Sequence, residues 1–356
     1  MSSLRQDSLT GRWVIIAAQR QGRPNEFRHQ LLKMPDQLPS SDRCPFCPGR
    51  ENQTPPELVA TGRTQDMVSN SPGWRVRVVP NKYPAVKAEP GTPDTPDSSL
   101  LRPQGPAQGG HEVVVCCPGH QDSLGTLPND HLTEVLSVVR QRMQTLEQEN
   151  PSARYVLAFG NHGPEAGATL AHAHLQIITT PVVPALVVDK TENFIRYKAT
   201  KNSCLLCDCL AEEEAARTRL IAANNNWVAA TPWASRFPCE MRLMPRRHSS
   251  SMVHCSDAEL ADLADLMSLC LKGLDNHAPD AGYNLVIHNA PLAADSRGGY
   301  GNDRLDSLSP SPDHFHWHLE ILPRLTRQAG FEAGTGFAIN SLPPEEAAGL
   351  LRPERR

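Results

Sequence analysis

Two imidazoles and an amide stand at alternate positions, His172, His174 and Gln176, and no other stretch of the chain is so well suited to chemistry. Leu175, Ile177 and Ile178, with Thr179-Thr180-Pro181 behind them, suit a short strand ended by a proline. Alternate residues on a strand share a face, so the three polar side chains should stand together. Imidazole ligates metals and attacks phosphorus, while an amide holds an anionic oxygen without competing for the proton. The preceding stretch, Asn161 to Thr169, is a glycine-containing loop whose backbone can cradle an anion. A bare H-x-H is an ordinary surface pattern; its surroundings set this one apart.

Ahead of it lies Cys44-Pro45-Phe46-Cys47-Pro48-Gly49, a C-x2-C turn in which two thiolates can meet one tetrahedral zinc. The flanking Pro and Gly, and the lack of a following helix, disfavour a redox pair. The spacing returns at Cys204-Leu205-Leu206-Cys207. After each pair a strand delivers a histidine: His120 falls eight residues after Glu112, and His248 eight after Glu240. Each half then ends in H-x-H, at His172 and at His316. One set is therefore Cys44, Cys47, His120 and His172; the other is Cys204, Cys207, His248 and His316. Four N/S ligands complete zinc's coordination, so two structural zinc ions per chain are expected. A single four-cysteine ribbon is the rival grouping, and it leaves the repeated histidines unused.

With His172 on a metal, His174 is free to attack phosphorus and form a readily cleaved phosphoramidate. Gln176 and the backbone N–H groups of Gly167, Ala168 and Thr169 are candidates to stabilise charge on the phosphoryl oxygens, and Asn161 to position a ribose or phosphate. Arg20 and Arg23, in a basic turn after a buried strand within 11–24, suit a phosphate clamp. His318 and Glu320 hold the equivalent places in the second half, but Ser311-Pro312-Asp313-His314-Phe315 has no glycine loop. That half reads as catalytically degenerate, kept for metal, shape and substrate contacts.

The elements that must position these groups also recur. Strands are expected at 74–80, 111–118 and 154–159, with a helix at 129–150 whose Leu132, Val135, Leu136, Val139, Met143 and Leu146 keep helical spacing. A Pro/Gly/Asp-rich stretch at 88–110 reads as an exposed loop. The second half offers strands at 227–233, 240–245 and 283–289, helix-like spacing at 211–223, and a helix to His277 opened by a Ser256–Glu259 capping box. This ordered correspondence is an internal duplication. It predicts an α+β fold of two units, 1–185 and 186–356, each an antiparallel sheet with one long helix, the sheets joining edge to edge.

The 356 residues suit two domains, and 35 basic against 39 acidic side chains leave a net charge of -4, no global footprint for nucleic acid or membrane. Trp13 to Ala18 is too short an apolar run for a signal or a span. Ten cysteines without a secretion signal point to a reducing compartment and a cytoplasmic protein.

Taken together, Arg12 to Arg23, Cys44 to Pro56, Asn81 to Pro84, Asn161 to Gln176 and Gly330 to Gly336 resemble the galactose-1-phosphate uridylyltransferase family, a transferase branch of the histidine triad superfamily. The resemblance implies duplicated histidine-triad-like domains and a ping-pong exchange. His174 takes a nucleotidyl group from a nucleotide sugar, sugar 1-phosphate leaves, and a second phosphate attacks. It also implies a catalytic role for Gln176, phosphate contacts from Arg20 and Arg23, and nucleotide contacts from Asn81, Asn161, Gly167 and Thr169. Sugar contacts fall to Gly330, Phe331 and Glu332, and a homodimer is implied. Uridylyl transfer between UDP-glucose and a hexose 1-phosphate is the first expectation.

Two departures matter. Ala173 replaces the proline of the family's H-P-H, and the Cys204/Cys207 pair is absent from the best-known bacterial members. That pair, like Gly330 to Asn340, is similar to a sub-branch that includes ADP-glucose phosphorylases, making adenylyl transfer to phosphate the alternative. A histidine triad hydrolase would carry a third histidine in place of Gln176. A non-catalytic zinc-binding interaction protein accounts for the cysteines but not for the His174–Gln176 pair or the glycine loop.

Overall fold

A computed structural model describes residues 2–22, 41–64, 66–87, 101, 105–293, 305 and 311–353. The first half carries β1 (Ser3–Gln6), β2 (Trp13–Ile16), β3 (Val59–Ala60), β4 (Arg77–Pro80), β5 (His111–Val115), α1 (Asn129–Glu149), β6 (Tyr155–His162) and β7 (His174–Thr180). Then follow α2 (Ala185–Lys201), α3 (Leu205–Ala216), β8 (Leu220–Ala223), β9 (Trp227–Ala230), β10 (Met241–Pro245), α4 (Asp257–His277), β11 (Tyr283–His288) and β12 (His318–Pro323). The chain ends with α5 (Gly330–Thr335), β13 (Ala338–Asn340) and α6 (Pro344–Leu351).

Ten strands form one antiparallel sheet in the order β3-β4-β5-β7-β6-β11-β12-β10-β9-β8. The two halves meet edge to edge where β6 pairs with β11, Asn161 opposite Asn284. A smaller sheet, β1-β2-β13, joins the two ends of the chain. No helix among the described residues is long and apolar enough to cross a membrane.

Strand alternation gives the large sheet two unlike faces. On one, Val114, Ala158, Leu175 and Ile177 meet the buried stripe of α1, including Leu132, Leu136 and Met143. Leu285, Ile287, Leu319 and Ile321 do the same under α4, and the two helices pack side by side. Each such buried Val, Leu, Ile or Met contributes about 1.5–3 kcal/mol relative to exposure, which fixes strand register because a one-residue slip would reverse every face. A full capping box between Ser256 and Glu259 opens α4.

The other face is covered differently in each half. In the first, the segment around Cys44, Phe46 and Cys47 packs on Val113 and Val115. In the second, Phe194 of α2 and Leu205, Leu206 and Leu210 of α3 pack on Val228, Ala230 and Met244. The sequence reads a break where α2 stands, because Pro181 and Pro184 precede it and Lys190, Thr191 and Glu192 on its buried side interrupt the apolar stripe. Pro184 is instead the N-cap residue, a position where its missing N–H costs nothing.

Other boundaries shift for local reasons. The helix expected at 211–223 is α3 and then β8, separated where Arg217 takes a left-handed φ of 53°. The second C-x2-C is therefore not a turn like the first: Cys204 caps α3 and Cys207 lies in its first turn. Trp74 leaves the 74–80 strand to donate its indole N–H to buried Glu51 at 2.9 Å. The strand in 11–24 is only β2, followed by a 3-10 turn at Ala18–Gly22. Residues 105–107 are exposed as a loop should be, whereas 108–110 belong to the sheet margin, with Thr179 N–H donating to Gly110 O at 2.9 Å. Most of 88–104 lies outside the described residues.

Candidate active site

His174 and Gln176 are half-buried on one face of β7, while Leu175 and Ile177 are buried on the other. His172 lies just before the strand and is fully buried. Its Nδ1 stands 3.7 Å from Cys44 Sγ and 3.6 Å from Cys47 Sγ, and His120 Nδ1 stands 3.3 Å from Cys47 Sγ. All four donor atoms lie within 4.8 Å of one another. Tetrahedral zinc, with bonds of about 2.0 Å to nitrogen and about 2.3 Å to sulfur, needs S···N edges of roughly 3.5 Å. The donor set fits. His172 Nε2 donates to Cys117 O at 2.6 Å, an outer bond that leaves Nδ1 for a metal.

His174 inherits its orientation from this cluster. Its Nδ1 lies 2.8 Å from His172 O, which can only accept, so Nδ1 carries the proton and Nε2 keeps its lone pair. Phe46, between the two cysteines, packs its ring against both His172 and His174. Burial holds the His174 pKa below the ordinary imidazole value, and the neutral ring is the nucleophilic form.

Gln176 is locked by a residue that the sequence reading did not single out. His111 Nδ1 accepts the Ala85 backbone N–H at 3.1 Å, so its proton sits on Nε2, 2.9 Å from Gln176 Oε1. Asn81 Nδ2 approaches the same oxygen at 3.4 Å, its own Oδ1 held by Tyr83 N–H at 2.9 Å. Two donors on Oε1 leave the Gln176 NH2 group to donate elsewhere, as an oxyanion partner must. In sequence, His111 is only the polar first residue of an apolar strand, too weak a signal to find it.

Asn161 follows Phe159 by two residues on β6, and Phe159 is directly opposite Gln176, so Asn161 shares this face. The loop beyond it turns through Gly163 and Gly167, at φ +77° and +83°. A Cβ on Gly163 would stand 2.9 Å from Gly282 Cα. Inside the loop, Gly167 N–H donates to Pro164 O at 3.0 Å and Ala168 N–H to Gly163 O at 3.1 Å. These two amides are thus occupied by the turn itself, contrary to the expectation that they serve a phosphoryl group. The amide of exposed Thr169 has no partner among the described residues.

Family models for the N-terminal and C-terminal domains of galactose-1-phosphate uridyl transferase match residues 1–184 and 190–338. The chain belongs to this family. It is 32% identical over 349 residues to an ADP-glucose phosphorylase of Arabidopsis thaliana, covering 98% of this chain and 92% of the relative. A galactose-1-phosphate uridylyltransferase of Thermotoga maritima is 27% identical, over 99% and 98%. The crystal structure of an Arabidopsis thaliana ADP-glucose phosphorylase with bound ADP-glucose superimposes with a TM-score of 0.80 at 30% identity, over 100% of this chain and 99% of that one.

Of the remaining positions that the uridylyltransferase resemblance singles out, Arg20, Gly330, Phe331 and Glu332 make no hydrogen bond to His174 among the described residues. Arg20 is exposed in the turn after β2, and Arg23 lies outside the described residues. Gly330, Phe331 and Glu332 form the first turn of α5, with Phe331 45% exposed and its ring against Phe337. None of the three has a hydrogen bond to His174 or Gln176 among the described residues.

The second half repeats the cluster but not the site. His316 Nδ1 stands 3.6 Å from Cys204 Sγ and 3.4 Å from Cys207 Sγ, and His248 Nδ1 stands 3.8 Å from Cys207 Sγ, again tetrahedral edges. His248 Nε2 donates to Asp313 O at 2.9 Å. His318 Nδ1 lies 3.0 Å from His316 O, as His174 does from His172 O, but Lys190 Nζ donates to its Nε2 at 2.8 Å. Lys190 also donates to Glu320 at 3.0 Å, and Arg236 and Arg242 pair with the same carboxylate. His318 and Glu320 are buried in this network, where α2 closes the face and fills it with its own cation.

Proposed function

We propose that this family member transfers a nucleotidyl group from a nucleoside diphosphate hexose by two displacements at His174. The carrying observation is the pair of locks on one face of β7: a His174 ring whose Nε2 and a Gln176 amide whose NH2 have no partner among the described residues. In the first step Nε2 attacks the α-phosphorus and an N–P bond forms. The bond from that phosphorus to the bridging oxygen breaks, and hexose 1-phosphate leaves with the electron pair. Gln176 NH2 donates to the phosphoryl oxygens as charge builds on them, with Asn81 and Asn161 holding the nucleotide. In the second step an oxygen of the acceptor phosphate attacks, the N–P bond breaks, and His174 returns neutral.

The reading assigns one zinc to each cysteine–histidine cluster, in residues 1–185 and in 186–356. Held by four protein ligands, zinc is a structural tie between each cysteine pair and the H-x-H strand. It also includes a homodimer in which α5, exposed at Phe331, offers Gly330, Phe331 and Glu332 to a partner's sugar subsite.

For the donor, ADP-glucose with phosphate as acceptor is preferred. That reading is supported by the higher identity to an ADP-glucose phosphorylase and by the complete second cluster at Cys204 and Cys207. UDP-glucose with a hexose 1-phosphate is the second reading, supported by the matches to enzymes named for it. The test is incubation with ADP-glucose or UDP-glucose labelled in the base. The protein should retain adenylate in an acid-labile, base-stable linkage and release it as ADP on addition of phosphate. Retention of uridylate alone would establish the second reading, and retention of neither would refute transfer through histidine.

A further inference from the structure

We propose that Asn284 and Arg324, both contributed by the second half of the chain, are positioning residues that set the direction of the Asn161 amide. The proposal rests on the reading above, in which Asn161 and the loop after it hold the nucleotide.

The geometry leaves one arrangement of hydrogens. Arg324 Nε lies 2.5 Å from Asn284 Oδ1, and a guanidinium can only donate. Asn284 therefore presents its oxygen to Arg324 and both hydrogens of its NH2 to the other side. They go to Asn161 Oδ1 at 2.7 Å and to Ala166 O at 2.8 Å. The Asn161 oxygen is thus occupied, and its NH2 must face the ligand. The polarity of a binding group in the first half is dictated by an arginine just after β12 in the second.

The surroundings hold this relay in place. β6 and β11 join the halves with Asn161 and Asn284 directly paired. The His162 ring stacks on Tyr283 at 4.9 Å, and Gly163 sits against Gly282 with no room for a Cβ. Arg324 donates its own backbone N–H to Gly282 O at 2.7 Å, and its guanidinium lies over the Phe237 ring at 4.6 Å. The Ala166 carbonyl, at the end of the 3-10 turn between the two loop glycines, is gripped by the same amide that aligns Asn161. Loop position and amide polarity are therefore set together by one side chain of the second half.

Asn284→Asp tests the idea because it keeps the shape and the partner of Arg324 but has no hydrogen to give. Asn161 should then turn its NH2 toward Asp at 284 and offer the ligand an oxygen. The expected result is a rise of about tenfold in KM for the nucleotide sugar, the worth of one misplaced polar contact, with a smaller change in kcat. Arg324→Met should raise KM in the same way by freeing the Asn284 amide to rotate, and Arg324→Lys, which keeps a donor, should recover most of the loss. An Asn284→Asp enzyme with wild-type KM, or equal losses in Arg324→Lys and Arg324→Met, would overturn the proposal. The wild-type enzyme is labelled in parallel. Label at His174 with an unaffected Asn284→Asp enzyme removes this inference alone, whereas no label in the wild type removes the underlying reading with it.

Discussion

Lys190 Nζ lies 2.8 Å from His318 Nε2, the nitrogen whose counterpart on His174 has no protein partner among the described residues. The two rings are otherwise held alike, each by Nδ1 on the carbonyl two residues earlier. Burial, and then the lysine charge, push the His318 pKa well below the ordinary imidazole value. The difference between a candidate nucleophile and an inert core histidine is therefore what covers one face of a shared sheet.

Replacing His174 with Gly should abolish turnover and covalent labelling while folding and metal content persist, since His174 is outside both clusters. His318→Gly should still acquire label, with some loss of stability from the cavity. Labelled protein analysed on gels checks both. Label retained by His174→Gly, or lost only in His318→Gly, would reverse the roles of the halves. Added imidazole should partly restore reaction of His174→Gly with an activated nucleotide.

Gln176→Ala should lower kcat by roughly a hundredfold to a thousandfold, as for loss of one oxyanion donor. His111 should act through it. His111→Glu offers only oxygens, so the Gln176 amide should turn its NH2 away from the phosphoryl group and kcat should fall nearly as far. His111→Gln, which retains a donor, should fall much less. Steady-state kinetics of the three variants decide the point; equal kcat in the Glu and Gln variants would show that the lock does not act on catalysis.

Elemental analysis should find two zinc ions per chain, and chelation should lower the melting temperature if each cluster is the four-ligand structural site proposed above. Cys204→Ser should lose one ion and keep labelling at His174. Cys44→Ser should lose the other ion and most labelling with it, because Phe46 in the same turn supports the His174 ring. One ion in the wild type, with Cys204 and Cys207 freely reactive, would rule out the paired sites.

Acid should weaken the start of α4 in a defined window. Arg247, followed by the Ser256 N–H and hydroxyl, pulls the Glu259 pKa down to about 2 from an ordinary value of 4.5. A carboxylate depressed in the folded state stabilises above its unfolded pKa, and that contribution is lost as pH falls toward the folded value. Glu259→Gln should therefore be less stable than wild type at pH 7, and the gap should close as pH falls from about 4.5 toward 2. Urea unfolding across that range measures it; a gap independent of pH would mean that the charge of Glu259 contributes nothing.

Much of this protein is legible in the sequence. The duplication, both cysteine–histidine clusters, the α1 stripe, the α4 capping box and the alternation that brings His174 and Gln176 together all follow from spacing. Those features are written in residues close along the chain, or in a pattern stated twice, and local periodicity carries such information without knowledge of what lies opposite. Tertiary structure alone decided the rest. Lys190 reaches His318 across 128 positions, His111 reaches Gln176 across 65, and Asn284 reaches Asn161 across 123. Each pairing depends on strand order and on which helix covers which face, and a polar residue inside an apolar element carries no local mark of the partner it will meet. For the same reason the loop amides of Gly167 and Ala168 looked available in sequence: only the folded turn shows that they bond to Pro164 and Gly163.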